Sequence, residues 1–164
     1  ALFHANHANL AGSGAVPSET TINAGLTAMW TQKDRSANAV ALNIRPKYIL
    51  APISLRSVIM QSLNSEYAPD DTAKAGTTKQ PYAYNTVKGV VDPIFDARLT
   101  GTAWFMAADP NQFDGVEITY LDGNETPFMD EQTSWQTDGI EYKVRIDAVA
   151  KALTWESLYK NAGA

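Results

Sequence analysis

The sequence predicts an α+β fold in which strands outnumber helices. Two segments in the first half carry apolar residues at helical spacing, and several segments in the second half alternate between apolar and polar residues. The chain of 164 residues is long enough to bury a sizeable core. We expect residues 1–18 to be an extended segment and linker, and residues 19–164 to form a single α+β domain.

The first predicted helix covers about residues 19–34. Ser18 can cap its first turn, and the carboxylate of Glu19 favours the positive end of the helix dipole. The apolar residues follow at intervals of three and four, which places them on one face of a helix. These residues are Ile22, Leu26, Met29 and Trp30.

A short apolar strand is expected between Pro46 and Pro52, because prolines are tolerated at strand ends. Ser54 can then cap a second helix over residues 54–64, whose apolar residues repeat at helical spacing.

Residues 64–82 contain few side chains that can pack into a core. A loop of this length is usually functional or mobile, so we expect it to be poorly ordered unless a partner holds it.

The second half of the chain is predicted to be mostly β. We expect strands at residues 87–91, 102–107, 116–120 and 140–147. Asp92-Pro93 is expected to end the first of them, and residues 122–124 are typical of a hairpin turn. Apolar and charged residues alternate strictly in the last strand, which predicts one buried and one charged face. We therefore expect this strand at the centre of the sheet.

The composition excludes several classes of protein. Because the chain has no cysteine, disulfide scaffolds, thiolate zinc sites and cysteine nucleophiles are excluded. No apolar run is long enough to span a membrane. The formal net charge of -5 argues against a protein whose whole surface binds nucleic acid.

The charge is distributed unevenly along the chain. Residues 1–82 hold seven Lys and Arg against five Asp and Glu, whereas residues 83–164 hold six against thirteen. The acidic half can be a solvated face. It can also contact the basic half of a neighbouring copy.

Residues with metal-binding or catalytic chemistry are few. His4 and His7 have the spacing of two metal ligands on a helix, but no third ligand is near in sequence. Gly12-Ser13-Gly14 does not match a nucleophile elbow. Asp122, Asn124 and Glu125 could bind calcium, although a plain turn is the simpler interpretation. We therefore expect no catalytic, cofactor-binding or metal-binding residues and no cofactor.

Four tryptophans are spread singly along the chain. Each could pack in the core or anchor a contact between subunits, and the sequence does not separate these roles. They are Trp30, Trp104, Trp135 and Trp155.

Two segments resemble parts of tailed-phage major head proteins. Residues 1–10 are similar to a Leu-Phe-His…Asn-His-x-Asn-Leu segment, and residues 42–52 are similar to an Ile-x-Pro-x-Tyr-Leu-Leu-x-Pro strand. The order of the later segments also resembles that of these proteins: residues 90–93, 103–110, 119–123, 138–145 and 155–161. The resemblance is to Mu-like head subunits and to the capsid halves of fused prohead protease–capsid proteins.

This resemblance implies the Hong Kong 97-type capsid fold, with a central mixed sheet flanked by helices. The chain would comprise an axial domain and part of a peripheral domain. It would be a C-terminal fragment of a longer subunit, without the N-terminal arm, extended loop and spine helix. The implied function is structural and non-enzymatic. The subunit self-assembles in the bacterial cytoplasm into an icosahedral head shell that encloses DNA in the virion.

The resemblance also implies particular partners. They are other copies of the chain, with a scaffold or prohead protease as further candidates, and neither specific nucleic acid nor membrane is expected. Two other functions stay open. One is a decoration or portal-associated module of a phage virion, and the other is a hydrolase that uses carboxylates.

Overall fold

A four-stranded sheet covered by two helices contains the buried core of the protein. The computed structural model describes residues 1–36, 38–67, 84–136 and 138–164. The chain divides into two compact units, which we name separately. The sheet unit comprises residues 1–115 and 154–164, and the ribbon unit comprises residues 116–153.

Helix α1, Glu19–Trp30, begins at the predicted cap. The Ser18 hydroxyl oxygen accepts a hydrogen bond from the Thr21 backbone N–H at 3.3 Å, and the Thr21 hydroxyl accepts one from the Ser18 N–H at 2.8 Å. The helix ends four residues before the predicted end at residue 34. The chain turns back there, and the Leu42 N–H donates to the Gln32 carbonyl at 2.8 Å.

Helix α2, Arg56–Asn64, is shorter than predicted at its start. Residues Ile53–Leu55 form a 3₁₀ turn, and the residue that precedes α2 makes no side-chain capping bond. The expectation that Ser54 caps this helix is therefore wrong. Most of the long loop predicted at residues 64–82 lies outside the described residues.

The sheet of the sheet unit is mixed and has four strands: β1 Pro46–Pro52, β2 Asp92–Asp96, β3 Trp104–Ala108 and β8 Leu158–Asn161. Their order is β2-β1-β3-β8. Strands β1 and β2 are parallel, whereas β3 is antiparallel to both β1 and β8. This mixture of helices and mixed sheet agrees with the predicted α+β class.

One face of this sheet packs against the helices. Ile49 pairs with Met106, and Met106 pairs with Tyr159, so these side chains share a face. All three are buried in one cluster with residues of both helices. A side chain at Gly25 in α1 would collide with the Met106 sulfur and the Tyr159 ring, which shows how closely this helix approaches the sheet. The opposite face is only half-buried.

Segments near both ends of the chain meet beside β8. The Ala11 N–H donates to the Lys160 carbonyl and the Lys160 N–H donates to the Asn9 carbonyl, each at 2.9 Å. The Asn161 side-chain oxygen accepts hydrogen bonds from the Ala15 and Gly163 backbone, also at 2.9 Å. The segment before α1 thus extends the edge of the sheet.

The ribbon unit consists of two antiparallel ladders. Strand β4 pairs with β7, and β5 pairs with β6. Their bounds are β4 Val116–Tyr120, β5 Phe128–Ser134, β6 Gly139–Arg145 and β7 Ala148–Ala152. Because β4 pairs with the last of these strands, the 3₁₀ turn at Leu121–Gly123 is not the predicted hairpin turn.

Two further strand predictions are wrong. Residues 87–91 are not a strand, since β2 begins at Asp92 and contains Pro93, which an edge strand tolerates. The strand at residues 140–147 is observed as β6, but it pairs with β5 alone instead of lying centrally in the sheet. Its expected buried face is exposed.

No helix in the described part of the chain is both long enough and apolar enough to cross a membrane.

Candidate assembly surface

The β5–β6 ladder has one mostly apolar and one charged face. Directly opposed residues in an antiparallel ladder share a face. One face therefore combines the pairs Met129–Val144, Glu131–Tyr142 and Thr133–Ile140. The other face combines Phe128–Arg145, Asp130–Lys143 and Gln132–Glu141.

The apolar face of this ladder is open. Ile140, Tyr142, Val144 and Met129 are between 60% and 70% exposed. At 150–250 Å² for a large side chain, these four leave on the order of 500 Å² of apolar surface in water. Soluble monomers rarely expose more than a few hundred Å² in one patch, so this face has the character of an interaction surface.

The β4–β7 ladder repeats this pattern on a smaller scale. Val116, Ile118 and Tyr120 pair with alanines of β7, whereas Glu117 pairs with Lys151 on the other face. Val116 and Ile118 are exposed. An isolated pair of strands is marginally stable, because it has no second layer to cover its apolar face. Both ladders therefore need a partner surface to bury these side chains.

Charged groups on the ribbon unit interact locally. The Arg145 guanidinium lies 5.7 Å from the centre of the Phe128 ring, and its Nε lies 3.4 Å from a carboxylate oxygen of Asp147. Arg145 and Asp147 also line a cleft of about 300 Å³ together with Asp122. Asp122 lies in the Leu121–Gly123 turn, in agreement with the turn interpretation of residues 122–125.

The four tryptophans have different environments. Trp104 is 0% exposed, and its indole N–H donates to the Ala15 carbonyl at 3.0 Å. Trp155 is half-buried and stacks on His7 with ring centres 4.3 Å apart. Trp30 is 47% exposed, and Trp135, just after β5, is 99% exposed. The structure thus separates a core residue from an exposed anchor candidate, which the sequence could not do.

His4 and His7 hold the first segment in place. The ring centres are 5.8 Å apart, and His4 Nδ1 accepts a hydrogen bond from the Asn6 N–H at 3.1 Å. His7 uses its ring to stack on Trp155. In the described ranges, no group of three or more His, Cys, Asp or Glu side chains could hold a metal ion.

Arg35 and Glu156 form a two-point ion pair next to this stack. The N–O distances are 2.5 Å and 2.9 Å, and the Arg35 guanidinium also lies 5.5 Å from the Trp155 ring. Burial raises the pKa of Glu156 more than any other single effect. Hydrogen bonds and the charge of Arg35 together outweigh it, so the pKa lies below its ordinary value. The pair fastens the chain after α1 to the start of β8.

Three carboxylates of the sheet unit, those of Asp96, Asp109 and Glu156, form ion pairs with Lys or Arg. Hydrogen bonds from Arg98 lower the pKa of Asp96 to about 2. Lys47 lies 2.7 Å from Asp109 and lowers the pKa of that carboxyl group. A carboxyl group that acts as a general acid at neutral pH needs a raised pKa. The shifts of Asp96 and Asp109 are in the opposite direction.

The sequence did not predict strand β5, which forms half of the exposed β5–β6 ladder. Strand β5 contains Phe128 and Met129, but its remaining residues are polar, so its apolar pattern is weak. Its pairing with β6 over seven residues is seen only in the structure.

Comparison with known proteins adds an independent finding. The chain matches the model of a family described as phage capsid protein over residues 1–161. No curated protein sequence matches it.

Proposed function

The chain belongs to the phage capsid protein family, and we propose that it builds the icosahedral head shell by self-assembly. The structural role and the location in the virion follow from the family. The proposal adds that the shell encloses DNA and that this chain is the C-terminal part of a longer capsid subunit. The family match over residues 1–161 is the observation that carries the structural role in the shell.

The distribution of apolar surface supports self-association. A shell subunit acts through extended surfaces, and specific interfaces bury about 800 Å² on each partner. The ribbon unit leaves four large apolar side chains of one ladder mostly exposed, including Tyr142 and Met129. This surface suits a protein that functions through contacts with other copies.

We propose the Hong Kong 97-type fold for the complete subunit, as in Mu-like head proteins and prohead protease–capsid fusions. In this proposal, residues 19–164 form one capsid-type domain preceded by the segment 1–18. The mixed sheet with its helices corresponds to the axial domain, and the ladders correspond to part of the peripheral domain. The resemblance of residues 1–10 and 42–52 to head proteins supports this assignment.

The partners follow from the same proposal. Other copies of the chain are the principal partners, as membership of a capsid family implies. A scaffold or a prohead protease acts during assembly, which takes place in the bacterial cytoplasm. The protein makes no specific contact with nucleic acid and none with membrane.

Electron microscopy of the complete coding sequence expressed in bacteria tests the function. We expect closed shells of uniform size that contain the subunit as their main component. Trp104→Ala, which removes a buried core side chain, serves as a control and should lower the yield of shells by destabilising the subunit. A protein that stays monomeric, or that binds only to shells built by another protein, contradicts the proposal. The second result identifies a decoration module.

A further inference from the structure

Trp135 is the most exposed large apolar residue described in this chain, at 99%. It follows the last residue of β5, and Ile140 and Tyr142 in the adjoining strand β6 are 60% and 69% exposed. Tryptophan is highly buried on average in folded proteins, and it is enriched among the residues that contribute most to interfaces. Its position at the end of the ladder therefore points to a buried position in a complex.

We name the exposed apolar residues at this end of the ladder, Trp135, Ile140 and Tyr142, the tip. Their area is a substantial part of an interface. Trp135, Ile140 and Tyr142 together expose on the order of 400 Å², taking 150–250 Å² for each fully exposed side chain. A stable contact between proteins buries about 800 Å² on each side. The tip supplies about half of that area, which is the share expected of an apolar centre surrounded by a polar rim.

The charges around Trp135 limit how two copies can meet. Asp138 and Glu141 lie towards this end of the ladder, Glu131 lies at its middle, and all three are exposed. The ribbon unit as a whole carries eight Asp and Glu against three Lys and Arg. Two such tips placed against each other would repel, because like charges at an interface are costly. A symmetric tip-to-tip dimer is therefore disfavoured.

The sheet unit of another copy has no net formal charge. It carries ten Lys and Arg and ten Asp and Glu, so it does not repel an acidic tip. Among its exposed cations are Arg45, Arg56 and Lys88. An acidic tip that meets this unit of another copy gives a head-to-tail contact. Contacts of this type continue beyond a dimer, into a closed ring or an open filament according to the rotation between copies.

We propose that Trp135 anchors the ribbon unit of one copy to the sheet unit of a second copy in a head-to-tail contact. This inference rests on the proposed function and names the contact that assembly uses. The surface that receives Trp135 is on a second copy, the anchor is apolar, and the acidic residues near it disfavour the symmetric arrangement.

Assembly of the complete subunit with Trp135→Ala tests the anchor. We expect this variant to raise the protein concentration needed for shell formation at least tenfold, measured by sedimentation. Trp135→Phe should raise it less, because an aromatic ring remains. Trp30→Ala, which removes a half-exposed indole at the end of α1, is the matched control and should assemble as the wild type does. Equal assembly of Trp135→Ala and wild type would overturn the proposal.

Tryptophan fluorescence distinguishes a second copy from the subunit's own chain. The difference between wild-type and Trp135→Phe spectra isolates the emission of Trp135. We expect emission typical of a water-exposed indole in unassembled subunits and a shift to shorter wavelength on assembly. Short-wavelength emission before assembly would show that the subunit's own chain covers Trp135, which overturns the inference while shells still form. Absence of wild-type shells contradicts both proposals.

Discussion

Apolar side chains alternate along strands of both the sheet unit and the ribbon unit, but they are buried in the first and exposed in the second. In the sheet unit, Ile49 and Met106 lie on a face that both helices cover, and both side chains are fully buried. In the ribbon unit, Ile140 and Val144 lie on an equally apolar face and remain exposed. Alternation thus specifies which face is to be covered, and it does not specify what covers it.

Hydrogen exchange of the unassembled chain should show the largest difference between the units. Amides of β1 and β3 are expected to exchange only through global unfolding, whereas those of β5 and β6 should exchange at least about a hundredfold faster. The reason is that the ladders have no covering layer. Mass spectrometry of peptides from both units measures this. Equal protection of all four strands would show that the ribbon unit is covered in the isolated chain.

Removal of one tryptophan from each unit is expected to have unequal effects on stability. Trp104→Ala should lower the free energy of unfolding by about 3–5 kcal/mol, because it leaves a large cavity in the core. Trp135→Ala should change it by less than about 0.5 kcal/mol, as substitutions at exposed sites usually do. Urea denaturation of both variants provides the measurement. A large loss of stability in the second variant would contradict the difference between the units.

The pH dependence of the Arg35–Glu156 pair is the smallest expected effect and concerns the sheet unit alone. Because the folded pKa of Glu156 lies below its ordinary value of 4.5, the pair stabilises the protein above about pH 4.5. This stabilisation is lost as the pH falls through the lower folded pKa. Arg35→Ala should therefore lower the urea midpoint at pH 7, and its difference from wild type should narrow on acidification.

The exposed Arg45 provides the matched control for that experiment. Arg45→Ala should leave both the midpoint and its pH profile unchanged. A difference between Arg35→Ala and wild type that stays constant from pH 7 to pH 3 would show that the guanidinium acts by packing on Trp155 instead of by its charge.

The sequence predicts local structure well where the responsible residues are adjacent. Ser18 can cap the first turn and Glu19 follows it directly, so the start of α1 is predictable from adjacent residues. The strand between Pro46 and Pro52 is predictable for the same reason. These elements depend on backbone geometry and on neighbours in sequence.

Pairing over long distances was not predictable in this way. The partner of β4 is β7, about thirty residues away, so the turn after β4 gave a misleading signal of a hairpin. Strand β8 is short and contains Lys160 and Asn161, which do not stand out as strand residues. The alternation in β6 is correct as a strand signal, but its burial depends on a covering surface that its own residues do not identify.

The candidate assembly surface was predictable only in part. The acidic character of the second half and the four isolated tryptophans are visible in the sequence. Which tryptophan is exposed depends on the tertiary packing of each one. Trp104 belongs to a strand under the helices, and Trp135 follows a strand that has a partner on one side only.

The hydrogen bonds to Asn161 couple the local opening of the segments at Ala15 and Gly163. Chain termini usually fray independently, each with its own low opening energy. Here one side-chain oxygen accepts from the backbone of both Ala15 and Gly163, so displacement of the Asn161 side chain releases both segments at once. Whenever Asn161 moves, the two segments should therefore open together, as one cooperative event.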